Sequence, residues 1–460
     1  MNIIIVGCGK VGITLAKQLT DEGHDITVID NKQERLEAAQ SLDVQMLLGN
    51  GTSFKVQEEA GVSEADIFIA VTDQDEVNLL SCLVAGRASG CKTVARVRSP
   101  QYYEEIGYIR QCMGTSLIIN PEYATAVEID HLIRIPSAME VDTFAKGRVE
   151  LLKMQVPDGS VLEGMSVPTF SMTFNRQILI CIIERGRECI IPNGQTVIAA
   201  GDMLYVILQH QVAKKFCETS GFPFRPLRNT MIVGGGTIAY YLAKKLINNG
   251  MGVKIIEKNE KRCEALSEML PRATIVYGDA TDHDMLLEEG LPGMDAFVAL
   301  TSIDEENVFL TLYANQKAPK AKKITKNSRI DLRDIALDLP VGSMVSPKEI
   351  TAEYISRFVR SQQNAYSSEI EAVYRLADGR VEALEFQLKE ESAVTGTTLM
   401  DLPIKKGVLI CCIVRNDKVI TPAGHDTMEK GDTVVVVTTH KNITDITYIL
   451  EDSYRKKVGI

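Results

Sequence analysis

The sequence predicts an α/β chain holding two doubly wound parallel-sheet domains, each followed by a small β-rich α+β domain. Three observations carry that prediction. A glycine loop follows an apolar strand twice, at Gly7-Cys8-Gly9-Lys10-Val11-Gly12 and at Gly234-Gly235-Gly236-Thr237-Ile238-Ala239. In both places the next strand closes on an acid, Asp30 and Glu257. Between and after these stretches the strand–helix alternation stops, and short strands separated by glycine, proline and aspartate turns take over.

The run Asn2–Val6 is short, apolar and β-branched, as a strand buried on both faces requires. Gly7, Gly9 and Gly12 then supply a tight turn, close backbone approach to a pyrophosphate, and close packing of helix on strand. Helical spacing over Ile13–Thr20 presents free N–H groups and the positive end of a helix dipole to phosphates. The strand Asp25–Ile29 ends in Asp30, 18 residues beyond Gly12, where a carboxylate accepts hydrogen bonds from ribose hydroxyls. A strand–turn–helix that merely needs glycine would explain Gly7 and Gly12 but not Asp30. The pattern is therefore Rossmann-like and reads as adenine-nucleotide recognition.

Lys32–Gln40 reads as helix and Val44–Leu48 as the third strand, leading into Gly49-Asn50-Gly51-Thr52, which is placed to border the adenosine. Ile67–Val71 forms a fourth strand ending at Thr72-Asp73, followed by the helix Glu76–Gly86. In the fifth strand, Thr93–Val97, Arg96 and Arg98 share a face by period two; one of them would reach a phosphate, or both mark a solvated strand end. Leu117–Ile119 is the sixth strand, and Pro121–Ile135 an amphipathic helix opened by proline.

In the β-rich stretch, strands are expected at Val149–Val156, Gln177–Glu184, Glu188–Ile191 and Met203–Leu208, with a closing helix at Val212–Ser220. The prolines of Gly221–Pro226 mark a linker. The chain then repeats itself. Gly7 and Gly234 are 227 positions apart, as are Asp30 and Glu257, and Gly278-Asp279-Ala280-Thr281 repeats Gly49-Asn50-Gly51-Thr52 at an offset of 229. Thr72 recurs as Thr301, Pro121 as Pro347, and Pro192 and Gly194 as Pro422 and Gly424. The chain is an internal duplication of a two-part unit. The expected domains are 1–137 and 230–366 for the nucleotide-binding parts, 138–221 and 367–455 for the β-rich parts, and 222–229 for the linker.

A formal net charge of −11 argues against nucleic acid and anionic lipid as partners. No apolar run approaches a membrane span, and a strand beginning at Asn2 leaves no room for a secretory leader, so a cytoplasmic location is expected. The ten cysteines form no C-x-x-C pair and read as buried reduced thiols, with Cys411 and Cys412 pointing to opposite faces of a strand.

A nucleotide-binding α/β domain followed by an all-β domain, occurring twice, resembles the regulator-of-potassium-conductance family, RCK or KTN, in its tandem form. Residues matching that family's nucleotide site are Gly7, Cys8, Gly9, Lys10, Val11, Gly12, Asp30, Gly51, Thr52, Thr72, Asp73, Gln74 and Arg98 in the first half. In the second half they are Gly234, Gly235, Gly236, Thr237, Ile238, Glu257, Asp279, Ala280 and Thr301. At constant offset Asn327 takes the place of Arg98, and the second loop lacks a counterpart of Lys10, leaving the second site nearly neutral on this reading. The resemblance implies a non-enzymatic cytoplasmic regulator that binds NAD(H) and ATP or ADP. It also implies a homotetramer that gates a Trk-type potassium-transporting membrane protein and attaches to the membrane only through that partner.

Two other classes stay open at this point. An NAD-dependent oxidoreductase uses the same loop but needs an acid or base near the nicotinamide. His210, His425 and His440 lie in or beside turns, His24 and His283 read as surface, and His131 as a packing residue, so none forms a catalytic constellation. A sensor of another ligand through the β-rich domains gains nothing from Pro192-Asn193-Gly194 and Pro422-Ala423-Gly424, which are ordinary hairpin turns.

Overall fold

The structure, a computed structural model, describes residues 1–186, 188–222, 226–328, 339–364, 370–377, 379–441, 443 and 445–459. Like parts of the two halves pair: Met1–Ile133 with Leu227–Val359 forms one compact unit, and Arg134–Pro226 with Arg360–Ile460 the other.

In the first unit, each half supplies a six-stranded parallel sheet. The first runs in the order β3-β2-β1-β4-β5-β6, with β1 Asn2–Val6, β2 Asp25–Asp30, β3 Gln45–Leu48, β4 Ile67–Ala70, β5 Lys92–Arg96 and β6 Leu117–Ile119. The alternation of a strand places Ile3 and Ile5 of β1 in one core and Ile4 and Val6 in another, so this central strand is buried on both faces. The helices are α1 Lys10–Asp21, α2 Gln33–Glu37, α3 Phe54–Glu59, α4 Asp75–Ser89, α5 Pro100–Glu104, α6 Ile106–Met113 and α7 Pro121–Arg134. α2 is shorter than its sequence pattern, because the chain turns after Glu37 and drops Ala39 into the core. The short α3, α5 and α6 carry too few turns to show a period in sequence.

The second half repeats the order as β14-β13-β12-β15-β16-β17. Its strands are β12 Asn229–Val233, β13 Gly252–Glu257, β14 Thr274–Tyr277, β15 Ala296–Ala299, β16 Lys322–Lys326 and β17 Ser343–Val345. Its helices are α10 Thr237–Asn248, α11 Glu260–Met269, α12 His283–Glu288, α13 Asp304–Lys317 and α14 Pro347–Asn364. Strand register corrects the offset assumed from sequence. Ala70 pairs with Ala95 and Ala299 with Thr325, so one extra residue in the α13–β16 connection shifts the offset to 230. The counterpart of Arg98 is therefore Ser328 and not Asn327: the Arg98 N–H donates to Asp75, and the Ser328 N–H to Asp304.

The last helix of each lobe packs on the other lobe. Ala352, Ile355 and Val359 of α14 are fully buried in the core built from Ile3, Ile5, Leu15 and Leu19 of the first half. In return, Asn249 at the end of α10 donates to Asp130 of α7, the Tyr241 hydroxyl accepts from Asn120, and the rings of Tyr123 and Tyr241 meet edge to face.

In the second unit, the first sheet runs β10-β9-β11-β8-β7 and the second β18-β19-β22-β20-β21. The first comprises β7 Glu140–Phe144, β8 Val149–Gln155, β9 Ile178–Arg185, β10 Glu188–Ile190 and β11 Met203–Leu208, with α8 Val167–Thr173 and α9 His210–Ser220. β7 was not anticipated, since Glu140 and Asp142 mask its alternation. The second comprises β18 Ile370–Leu376, β19 Val381–Gln387, β20 Val408–Arg415, β21 Lys418–Ile420 and β22 Thr433–Thr438, and α15 spans Asp452–Val458. One core joins the two sheets, containing Phe144, Tyr205, Tyr374, Cys181 and Cys411. A bulge between Ile410 and Cys412 lets adjacent Cys411 and Cys412 enter that same core, correcting the expectation that they face apart. His24 is likewise buried rather than on the surface.

Each β-rich domain is pinned by a two-pronged ion pair. Arg185 donates to Asp202 at 2.8 and 2.7 Å, and Arg415 to Asp432 at 2.9 and 2.8 Å, with both carboxylates buried. Burial raises Asp202, but Arg185 and the Ala199 N–H outweigh it and hold the carboxyl below its usual range. Asp202→Asn is expected to lower stability by about 1.5–3 kcal/mol. Because the folded value is depressed, that contribution is complete above about pH 4 and is lost as pH falls through the folded value. Denaturant titrations of both chains at pH 7 and pH 3 check it; an equal gap at the two pH values refutes the assignment.

The exchanged helices yield a second prediction. Residues 1–226 alone lack α14, but a second copy's α7 is its structural equivalent. The segment is expected to form a homodimer by sedimentation. A stable monomer would contradict the exchange.

Candidate nucleotide sites

Each phosphate loop is shaped by close contacts at some of its glycines, Gly7 and Gly12 in the first and Gly234 and Gly235 in the second. Gly7 has φ +103°, and a Cβ there would stand 2.9 Å from the Thr72 nitrogen; a Cβ on Gly12 would stand 1.9 Å from the Gly7 carbonyl oxygen. Gly9 and Gly236 open α1 and α10 with no side chain capping the first turn, so the helix N–H groups face outward. A Cβ on either would meet nothing within 4 Å. These loops fit a pyrophosphate.

The acids hold the loops from the neighbouring strand. Asp30 accepts from the Cys8 N–H at 2.7 Å and the Lys32 N–H at 3.0 Å. Glu257 accepts from the Gly235 N–H at 2.6 Å and the Asn259 N–H at 2.8 Å. Burial, reinforced by Asp30, pushes the Cys8 thiol up to about 11, so it stays protonated and unreactive at neutral pH. Arg35 lies 3.9 Å from Asp30 and 3.5 Å from Asp73, bridging the mouth of the first site. Arg262, the equivalent residue, instead donates to the Gly235 carbonyl at 2.6 Å and leaves the second mouth open.

The second loop opens on a cavity of about 400 Å³ lined by Gly234, Gly235, Gly236, Thr237, Ile238, Glu257, Asp279, Ala280 and Thr301. Lys258 and Lys326 add positive charge, and Arg98 and Glu122 enter from the first half. The first loop opens on a cavity of about 450 Å³ lined by Gly7, Gly9, Lys10, Val11, Thr72 and Asp73, with Arg35, Arg96 and Glu122. Ser328, Pro347 and Lys348 enter it from the second half.

Not every residue picked from sequence reaches a cavity. Cys8 and Gly12 lie behind the loop, and a Cβ on Gly51 would meet Val6 at 2.2 Å, a packing role. Thr52 closes a turn on Asn50. The Asp30 side chain is only 2% exposed under Arg35. Gln74 lines a shallower hollow with Arg98 and Thr237. Arg98 serves the second loop, so the second site is not neutral as expected from sequence.

Glu122, Lys326 and Lys348 were missed, whereas Arg96, named with Arg98 as one of two arginines of which one would reach a phosphate, lines the first cavity. Glu122 directly follows Pro121, and the first-turn acid was its only sequence signal. Arg98 Nε donates to Glu122 at 2.7 Å, and Arg96 lies 3.8 Å from the same oxygen. Burial pulls the Arg96 guanidinium below its usual value, which Glu122 opposes. Burial also lowers Lys326, with Asp304 opposing and Lys10 assisting. The Thr281 N–H and hydroxyl hold Asp279 below the usual carboxylate range.

Paired Rossmann-like lobes with facing cationic cavities, joined to paired β-rich domains, define a tandem nucleotide-binding regulatory architecture. The TrkA-N domain family matches residues 3–121 and 230–347, and the TrkA-C domain family residues 151–221 and 383–450. The Trk system potassium uptake protein TrkA homolog of Archaeoglobus fulgidus is 34% identical, covering 95% of this chain and 97% of its own. The TrkA proteins of Haemophilus influenzae and Vibrio alginolyticus are 30% and 32% identical, each covering 98% of this chain and 99% of its own. The chain belongs to the TrkA family of Trk-system potassium uptake proteins. Its fold is also similar to that of the GsuK channel bound to NAD, with TM-score 0.64 and 17% identity over 96% of this chain and 77% of that one. No helix among the described residues is long and apolar enough to cross a membrane.

The loop acids serve the fold, whatever they do for a ligand. Asp30→Ala and Glu257→Ala each strand a loop N–H and are expected to cost about 1–3 kcal/mol without nucleotide. Each should also weaken binding at its own site. Thermal unfolding with and without nucleotide separates the two effects; unchanged unfolding in both conditions refutes the role.

Proposed function

We propose that this chain is the cytoplasmic regulatory subunit of a Trk-type potassium-uptake system, binding NAD(H) and ATP or ADP and setting the activity of the membrane partner. The observation that carries this reading is the pair of cavities, each walled by residues of both halves. A ligand there touches two lobes at once and so favours one arrangement of them. Curated relatives of nearly equal length named as Trk potassium uptake proteins support the partner class. A channel of similar fold described as bound to NAD, and another structure of it described as bound to ADP, support the ligand class.

We infer binding and regulation rather than hydride transfer. Curated relatives of nearly equal length are named as potassium uptake proteins and not as dehydrogenases, which supports this reading. The subunit would act as a homotetramer on the inner face of the membrane, attached through its protein partner.

Potassium flux into proteoliposomes holding a Trk membrane subunit, with and without this chain, tests the reading across NAD, NADH, ATP and ADP. Flux is expected to depend on the nucleotide only when the chain is present, by several-fold for a coupling of about 1–3 kcal/mol. Identical flux in every condition would refute it.

A further inference from the structure

The acids that end β2 and β13 meet their cavities differently. Glu257 stands on the wall of the second cavity, whereas Asp30 is absent from the lining of the first. Arg35 covers Asp30 and reaches on to Asp73, which is 64% exposed at the rim. Two substitutions between the halves account for the difference. Thr72 and Thr301 are equivalent, each N–H donating at 2.8 Å to an asparagine of the following helix, so the next position holds Asp73 in the first half and Ser302 in the second. The charge of Asp73 draws Arg35 across the first mouth; Ser302 has none, and Arg262 turns to the Gly235 carbonyl instead. The other substitution is Cys8 against Gly235. A Cβ on Gly235 would stand 3.0 Å from Glu257 Oε2, so glycine leaves room for the longer acid on the wall.

We propose that Arg35, held by Asp73, masks Asp30, so that the first cavity does not select for the sugar 2′-hydroxyl of its nucleotide while the second selects for it through Glu257. A sugar hydroxyl donates to a carboxylate that faces the cavity, which is the usual service of an acid at this place in the fold. At the second site that acceptor is open. At the first, a hydroxyl finds a guanidinium already turned to two acids, and the Asp30 oxygens are kept on the Cys8 and Lys32 N–H groups of the loop. The first cavity then takes ribonucleotides and deoxyribonucleotides nearly alike, whereas the second takes ribonucleotides. This inference rests on the nucleotide reading proposed above.

The test is calorimetric titration of the full chain with ADP and with 2′-deoxy-ADP, one cavity at a time. The two probes carry the same charge, so their affinity ratio isolates the hydroxyl. Gly9→Asp and Gly236→Asp each set a carboxylate on a phosphate loop, where a Cβ meets nothing within 4 Å, and so close the first and the second cavity to phosphates in turn. In the Gly9→Asp chain, which reports the second cavity, losing the hydroxyl is expected to weaken binding at least about tenfold. In the Gly236→Asp chain, which reports the first, the loss is expected to stay below about threefold. Adding Asp73→Ser to the Gly236→Asp chain frees Arg35 and should raise that loss to at least about tenfold. Arg35→Met should do the same and serves if the serine variant fails to fold. An equal loss in the two single-variant chains, or a small loss that neither Asp73→Ser nor Arg35→Met enlarges, overturns this inference alone. Wild type binding neither nucleotide overturns the nucleotide reading and this inference with it.

Discussion

The exchange of α7 and α14 between the Rossmann-like lobes is the constraint from which the sites follow. Ile355 and Val359 have no exposed alternative: each is fully buried against the first lobe, and such a side chain contributes about 1.5–3 kcal/mol by leaving water. Because α7 must reach the second lobe, its first turn brings Glu122, and the chain before it Arg98, to the second phosphate loop. Because α14 must reach the first, Pro347 and Lys348 arrive at the first loop. Neither cavity is complete within its own half, so separating the lobes dismantles both.

Duplication gave two similar sites, and substitution made them different. Lys10 faces Thr237 across the repeat, Arg98 faces Ser328, and Glu122 faces Lys348. The cations are thereby redistributed rather than lost, with Lys10, Arg35, Arg96 and Lys348 at the first cavity and Arg98, Lys258 and Lys326 at the second. The equivalent arginines Arg35 and Arg262 do unlike work. Arg35 stretches between two acids over the first mouth, whereas Arg262 turns back to the loop carbonyl and leaves Glu257 on the cavity wall.

Local chemistry was legible in the sequence where one residue type has one physical use. Gly7 and Gly12 announce a close approach, and Asp30 at the end of β2 completes the pattern, so the doubly wound parallel sheet and its loops could be read directly. The composite walls were not legible, because they depend on which lobe covers α7 and α14, and an apolar helix face does not name its partner. Arg98 shows the limit: its type and position marked it as a candidate phosphate contact of its own half, yet the helix exchange places it at the other half's loop. One inserted residue before β16 was enough to misplace its counterpart. Glu122 was hidden for a different reason, since an acid in a helix's first turn has an ordinary explanation in the helix dipole.

A ligand in a shared wall acts on the lobes through few contacts. Moving an equilibrium from 1:99 to 99:1 requires about 5.5 kcal/mol of differential binding. Hydrogen bonds to charged groups are worth about 1.5–3 kcal/mol each, so two or three contacts made in only one arrangement suffice. The first cavity offers Lys348 from the opposite half, and the second offers Arg98. Arg98, at the second cavity, and Arg96, at the first, both lie on the same Glu122 oxygen, so one acid ties the two walls together. On the nucleotide reading proposed above, a common wall lets occupancy of one cavity bear on the other, which two isolated sites could not do.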